Sequence, residues 1–338
     1  MKIHIQMINK RLVIGGSALL LAFLIALCHV GFLPAGGGAA AVVNIPDGAS
    51  AGSIGRILAE KGIIKSPFAF KLLAKLSGKG GRLQPGAYEL NGRMTPAAVL
   101  KKIADGDVCA RWVTVPEGFT VRQIADRLAA KNLADKSRFE AFAMQGGQSF
   151  KAGFPPPGPS LEGYLFPDTY LVPEGVSEDK IIDNMLQAFY DKVAKPLQGE
   201  IAASGMSMHQ VITLASLIER EAKVPEDRAL ISAVLHNRLS KNMRLQVDAT
   251  VLYSLGAHKS RVLYRDLTVD SPYNTYKNAG LPPGPIANPG LASIKAALHP
   301  ADADYLYYVA RPDGSHIFSR TIEEHADAIK LARRKDSH

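Results

Sequence analysis

Between Leu12 and Leu33 the chain runs 22 residues without an Asp, Glu, Lys or Arg, and this run limits how everything after it can fold. About 20 predominantly apolar residues suffice for one helical crossing of a bilayer. Ser17 and His29 are the only clearly polar side chains in the run, and Lys2, Lys10 and Arg11 precede it. Positive charge stays on the cytoplasmic side of a membrane. The expected organisation is therefore a cytoplasmic N-terminus over 1–11, a transmembrane helix over 12–33, a Gly/Ala-rich linker over 34–42, and an external remainder that must build its own aqueous core. A cleaved signal peptide is the competing reading, since Ala39-Ala40-Ala41 offers small residues to a peptidase. The length of the apolar run favours a retained anchor. Leu27 stands where lipoprotein processing at Cys28 would need a small residue.

The two cysteines are Cys28, inside the apolar run, and Cys109, so no disulfide framework supports the external part. About 300 residues beyond the run leave room for a sizeable core and two domains. The formal net charge is +9, of which Lys2, Lys10 and Arg11 supply three, and the rest is spread along the chain. Nucleic-acid binding is a poor reading because it calls for a focused basic stripe. Gly78-Lys79-Gly80-Gly81 lacks the spacing of a phosphate loop. Glu323-Glu324-His325 lacks a second His at helical spacing, and the nine His are scattered. Neither a metal nor a cofactor is expected.

An internal repeat appears at an offset of 70 residues. Val43-Asn44-Ile45-Pro46-Asp47-Gly48 matches Val113-Thr114-Val115-Pro116-Glu117-Gly118, and Ile54, Leu58, Ala59 and Lys61 match Ile124, Leu128, Ala129 and Lys131. Each copy reads as a short alternating strand, a Pro-acid-Gly turn and an amphipathic helix. The first continues through Leu83 to Leu90 as a turn into a strand, with a further helix over Pro96 to Ile103, and Tyr88 is its exposed aromatic candidate. Gly153-Phe154-Pro155-Pro156-Pro157-Gly158-Pro159 is a rigid, non-helical break ahead of Glu162. Ser177 reads as the cap of a helix carrying Ile181, Ile182, Met185, Leu186, Phe189 and Tyr190. With Glu178 and Asp179 behind it, Ser177-x-x-Lys180 suits a helix start better than a serine nucleophile. Tyr305–Val309 and His316–Ser319 read as strands around the turn Arg311-Pro312-Asp313-Gly314.

One acidic residue stands out within a helix. The run Val211 to Glu221 contains no Gly or Pro, and at about 100° per residue Leu214, Leu217 and Ile218 share an apolar stripe. Glu221 follows Ile218 by three and Leu217 by four, so it falls in that stripe, whereas Glu219 points away. A carboxyl on an apolar face loses hydration and holds its proton toward neutral pH, which a general acid requires. The bland alternative is an ion pair with Lys223 or Arg228.

The motifs around this helix carry a family resemblance. In order they are Leu161-Glu162-Gly163-Tyr164-Leu165-Phe166-Pro167-Asp168-Thr169-Tyr170, Ala215-Ser216-Leu217-Ile218-Glu219-Arg220-Glu221, Asn237-Arg238-Leu239, and Leu245-Gln246-Val247-Asp248-Ala249-Thr250-Val251. Tyr273-Asn274-Thr275-Tyr276, Gly280-Leu281-Pro282-Pro283-Gly284-Pro285-Ile286, His299-Pro300-Ala301 and Tyr305 to Ala310 come next. The chain resembles the MltG/YceG-like endolytic murein transglycosylases, from the apolar run almost to the C-terminus. In that family the second acid of the Glu-x-Glu pair is catalytic, which maps onto Glu221. Ala222 stands where some members carry a hydroxyl residue. The resemblance implies an α+β fold: a transmembrane helix, a LysM-like αβ subdomain over 43–110, and a linker unit with a mixed α+β catalytic domain over 111–338.

The implied reaction cleaves the bond between N-acetylmuramic acid and N-acetylglucosamine in nascent peptidoglycan. Glu221 first protonates the leaving oxygen. As carboxylate it then takes the proton of the muramic-acid primary hydroxyl, leaving a 1,6-anhydro end and ending strand elongation. That hydroxyl belongs to the substrate and is held at high effective concentration. As substrate-binding candidates, Tyr164, Phe166 and Tyr170 offer stacking faces, and Gln246, Asn274 and Thr275 offer hydrogen bonds. Glu162, Asp168, Asp248 and Tyr273 lie in the same motifs. The expected partners are glycan strands, the inner membrane and peptidoglycan synthases, with the catalytic domain in the periplasm. Two other readings stay open: a water-using glycosidase with Asp168 or Asp248 as its second carboxylate, and a non-catalytic wall-binding scaffold.

Overall fold

The computed structural model describes residues 32–334 except 38, 147–149, 151–157 and 257–261. Residues 12–31 of the expected crossing and 153–157 of the proline-rich break lie outside the described residues. Among the described residues no helix is long and apolar enough to cross a membrane. The fold is mixed α+β, and the chain divides into two compact units. One runs to Trp112 and includes Leu171–Val176, and the other holds Val113–Tyr170 and the chain from Ser177 onward.

In the first unit, β1 (Ala41–Ile45) pairs antiparallel with β2 (Gly86–Leu90), Ala41 facing Leu90 and Ile45 facing Gly86. Alternation along β1 sends Val43 and Ile45 inward, onto α1 (Ala51–Glu60), α2 (Pro67–Leu76) and α3 (Pro96–Asp105). Each helix starts on a hydroxyl that accepts an otherwise unpaired amide: Ser50 from Ser53, Ser66 from Ala69, Thr95 from Ala98. Tyr88 is fully buried, and its hydroxyl donates to the Gln84 carbonyl at 2.8 Å. This corrects the expectation of an exposed stacking aromatic. Strand alternation alone places it beside Leu90, on the inner face. The chain's single tryptophan, Trp112, is instead 64% exposed.

The repeat is visible in the backbone. Its second copy is β3 (Ala110–Thr114), a turn, and α4 (Val121–Ala130). Gly48 and Gly118 occupy the left-handed region at corresponding turn positions, φ +69° and +75°. Ser50 and Thr120 cap the helices, and Ile54/Ile124 and Leu58/Leu128 are buried pairs. The correspondence continues past the matched residues. Gly62 and Asn132 both close their helices with positive φ, and Ile63 and Leu133 then turn inward.

β3 pairs with β4 (Thr169–Pro173). In the second unit α5 (Lys136–Gln145) packs on α4. α6 (Glu178–Phe189) leads through a wide turn to α7 (Gln198–Ala203). Ser177 holds the cap position of α6 in extended backbone, φ −73° and ψ 152°, but its side chain accepts no capping bond. Buried Glu178 instead accepts the Asp135 amide at 3.0 Å and faces Arg138. The centre is α8 (Met208–Glu221), covered by α9 (Arg228–Ser240), α10 (Asp248–Leu255) and α11 (Leu291–Leu298). Every residue from Val211 to Ile218 is buried. The antiparallel hairpin β5 (Tyr307–Ala310) and β6 (His316–Ser319) matches the predicted pair of strands, and α12 (Ile322–Arg334) packs on it.

Candidate active site

Helix α8 is fixed at both ends. At its start Ser207 accepts the Gln210 amide at 3.2 Å and Gln210 returns an acceptor to the Ser207 amide at 2.9 Å. Midway, buried Ser216 accepts the Ile286 amide at 3.0 Å, docking the proline-rich loop on the helix. Gly163 sits where that loop and α8 meet. Its φ is +91°, and a Cβ there would lie 2.5 Å from Pro285 and 2.9 Å from the Ile212 methyl. The glycine lets the Glu162 motif reach the helix. His209 gives its Nε2–H to the Pro283 carbonyl at 2.8 Å, which leaves Nδ1 to accept the Tyr164 hydroxyl at 3.0 Å.

At the other end Glu221 is the last helical residue, and Ala222 is already extended. Oε2 of Glu221 accepts the Tyr308 hydroxyl at 3.0 Å, and the Ala249 amide also faces the carboxyl. Burial pushes the carboxyl up to about 7. The Tyr308 bond opposes that rise, and nearby Asp248 adds to it. The negative end of the α8 dipole acts in the same direction as burial. The residue nevertheless retains some solvent exposure, so its proton stays reachable. Glu219 lies on the other side, where it accepts the Gly290 amide at 3.1 Å.

Two residues of α9 hold the segments that face Glu221. Asn237 donates to the carbonyls of Ala303 and Tyr305 at 2.8 and 3.0 Å. Buried Arg238 donates to Leu306 at 2.7 Å and, through Nη1, to the carbonyls of Arg244 and Leu245 and to Oε1 of Gln246. One guanidinium therefore ties the strand carrying Tyr308 to the loop entering Asp248. Asp248 is exposed and accepts the Tyr276 hydroxyl at 2.5 Å.

A cavity of about 720 Å³ opens beside this centre, lined by Thr120, Arg122, Glu162, Arg220, Ala249, Tyr253 and Tyr273 among others. It reaches Glu221's neighbours Arg220 and Ala249 but not Glu221 itself. Glu162 lies at its wall, buried. Oε1 accepts the Val121 amide at 3.0 Å and Asn288 at 3.1 Å, and Oε2 the Tyr253 hydroxyl at 3.4 Å. Burial raises its carboxyl to about 8 against these donors.

The candidates named from sequence therefore separate. Glu221, Asp248 and Gln246 share one neighbourhood, and Glu162 and Tyr273 share the cavity. Tyr164 and Phe166 are core residues at 1% and 6% exposure, Tyr164 packed on Phe189. Tyr170 donates to the Phe166 carbonyl. Asn274 is fully buried: its amide serves the carbonyls of Leu267 and Val269 and accepts the Tyr276 amide. Buried Thr275 bonds the Val247 amide and Thr250. Tyr164, Phe166, Asn274 and Thr275 pack and brace the loops. Asp168 is ion-paired with Lys192, which holds its carboxyl below the usual range. That pairing makes it a poor second carboxylate. Sequence reasoning missed Tyr308, Tyr276 and Arg238 as site residues, although all three stand in the family motifs. Among the described residues no group of three or more His, Cys, Asp or Glu is placed to hold a metal.

Comparison with known proteins places the chain in a family. The YceG-like family profile matches residues 43–331. The chain is 42% identical over 303 residues to the endolytic murein transglycosylase of Bacillus subtilis (strain 168), covering 85% of this chain and 83% of that protein. It is 32% identical to the endolytic murein transglycosylase of Streptococcus pneumoniae (strain D39), covering 84% of this chain and 56% of that longer protein. The crystal structure of a yceG-like protein from Listeria monocytogenes superposes with a TM-score of 0.58 at 39% identity, covering 86% of this chain and 99% of that one. The chain belongs to the YceG-like family.

Proposed function

We propose that this protein is an endolytic peptidoglycan transglycosylase in which Glu221 serves as general acid and then as base. The observation that carries the reading is the Glu221 carboxyl itself: poised near 7, bonded by Tyr308, and partly open to solvent. A group titrating near the working pH can give a proton in one step and take one in the next. The transglycosylase relatives support the same chemistry. Protonated Glu221 delivers its proton to the oxygen between N-acetylmuramic acid and N-acetylglucosamine. The resulting carboxylate takes the proton of the muramic-acid primary hydroxyl as that oxygen attacks its own ring, closing the 1,6-anhydro end. No water is consumed.

In this reading the strand runs along the cavity walled by Glu162 and Tyr273 and past Ala249 to Glu221. Asp248 and Gln246 then lie on the sugar-facing side. The segment over 12–33 anchors the protein in the inner membrane, residues 43–110 form a LysM-like subdomain that meets glycan, and residues 111–338 act in the periplasm beside the synthases. Asp248, exposed and close to Glu221, favours one competing reading, a water-using glycosidase. Digesting purified murein and weighing the products separates the cases. Anhydro ends support the proposal, reducing ends with added water support the glycosidase, and no products support a scaffold.

A further inference from the structure

The short connection after α8, from Glu221 to the turn Pro225–Asp227, is gripped along its length by the β5–β6 hairpin. At its start the Tyr308 hydroxyl donates to Glu221. In the middle, the Gly314 turn lies against Lys223, close enough that a Cβ on the glycine would sit 3.3 Å from the lysine's. At its end, Oδ2 of buried Asp227 accepts both the backbone amide and the Nδ1–H of buried His316, each at 2.8 Å. The His316 ring meets the Tyr308 ring edge-on, with centroids 5.4 Å apart at 90°. Helix ends fray, and Glu221 is the terminal residue of its helix.

We propose that Tyr308 is a positioning residue for the Glu221 carboxyl, and that the Asp227–His316 pair holds the Tyr308 ring in register behind it. This rests on the reading of Glu221 as acid and base. Tyr308 comes from β5. The other polar groups facing Glu221 are Asp248 and the Ala249 amide from α10, Tyr276, which donates to Asp248, and Arg220 from its own helix, while Arg238 acts on Tyr308. Of these, the Tyr308 hydroxyl is the side-chain donor to the carboxyl. A donor favours the carboxylate, so its removal moves the Glu221 titration to higher pH.

The test is Tyr308→Phe in the full chain, read by turnover and by carbon-13 NMR titration of the Glu221 carboxyl, assigned with Glu221→Gln. The expected result is a turnover loss of about ten- to a hundred-fold, KM within about two-fold, and a higher Glu221 midpoint. A fluorinated tyrosine at 308, a stronger donor, moves the midpoint the other way. That arm also keeps the test decisive if Tyr308→Phe folds poorly. His316→Asn, which can still donate to Asp227, retains more activity than His316→Ala. A Glu221 midpoint unchanged by either Tyr308 replacement overturns the proposal, even if melting temperature falls. Should Glu221→Gln itself stay active, the underlying reading fails instead.

Discussion

Glu221 and Glu219 sit two residues apart on one helix, and their surroundings separate their chemistry. Glu221→Gln keeps the size of the side chain but cannot carry a proton, so turnover should drop by on the order of 10² or more. Glu219→Gln retains an acceptor for the Gly290 amide and should stay near wild type. Comparable turnover numbers for the two variants would remove the distinction. The raised carboxyl also makes a stability prediction. With a folded value of about 7 against an ordinary 4.5, the folded state binds the extra proton between those limits. The Glu221 contribution therefore falls as pH rises from about 4.5 through 7 and levels off only once the carboxyl is fully ionised. Glu221→Gln should gain about 2 kcal/mol relative to wild type between pH 5 and pH 8. Denaturant unfolding at the two pH values measures this, and an unchanged difference would mean the carboxyl is not desolvated.

At the scale of elements, the site depends on loops braced by buried polar side chains. Asn274→Ala strips the carbonyls of Leu267 and Val269 and the Tyr276 amide of their partner. A loss of about 2–3 kcal/mol should appear in urea unfolding, together with reduced activity, since Tyr276 would no longer hold Asp248. A variant as stable as wild type would show that the loop does not need this brace. Much of the element level is legible in the chain. The 70-residue repeat marks two strand–turn–helix units, the helical phase of Leu214, Leu217 and Ile218 puts Glu221 on the buried side, and the turn at Asp313-Gly314 marks the hairpin. The roles of motif side chains are less legible. Tyr164, Asn274 and Thr275 occupy segments without a regular period, so no phase relation tells inward from outward there. Tyr308 lies in a strand, but its meeting with Glu221 joins residues 87 apart in sequence, which no local pattern encodes.

For the whole molecule, the proposed function couples an anchored chain to cleavage inside new strands. A reporter fused after His338 should be active only outside the cytoplasm. A soluble form starting near Val42 would instead mark 12–33 as a cleaved signal. Early digestion of uncrosslinked glycan should yield a spread of intermediate lengths, whereas a disaccharide ladder from the start would mean cutting from the ends. Loss of the gene should lengthen glycan strands, and restoring the Glu221→Gln form should leave them long. The central claim, one carboxyl and no water, is tested most directly by digesting purified strands in water enriched in the heavy oxygen isotope and weighing the new ends. The wild type should give anhydro-muramyl ends with no heavy oxygen, and Glu221→Gln should give none of these ends. Reducing ends carrying heavy oxygen would contradict the claim.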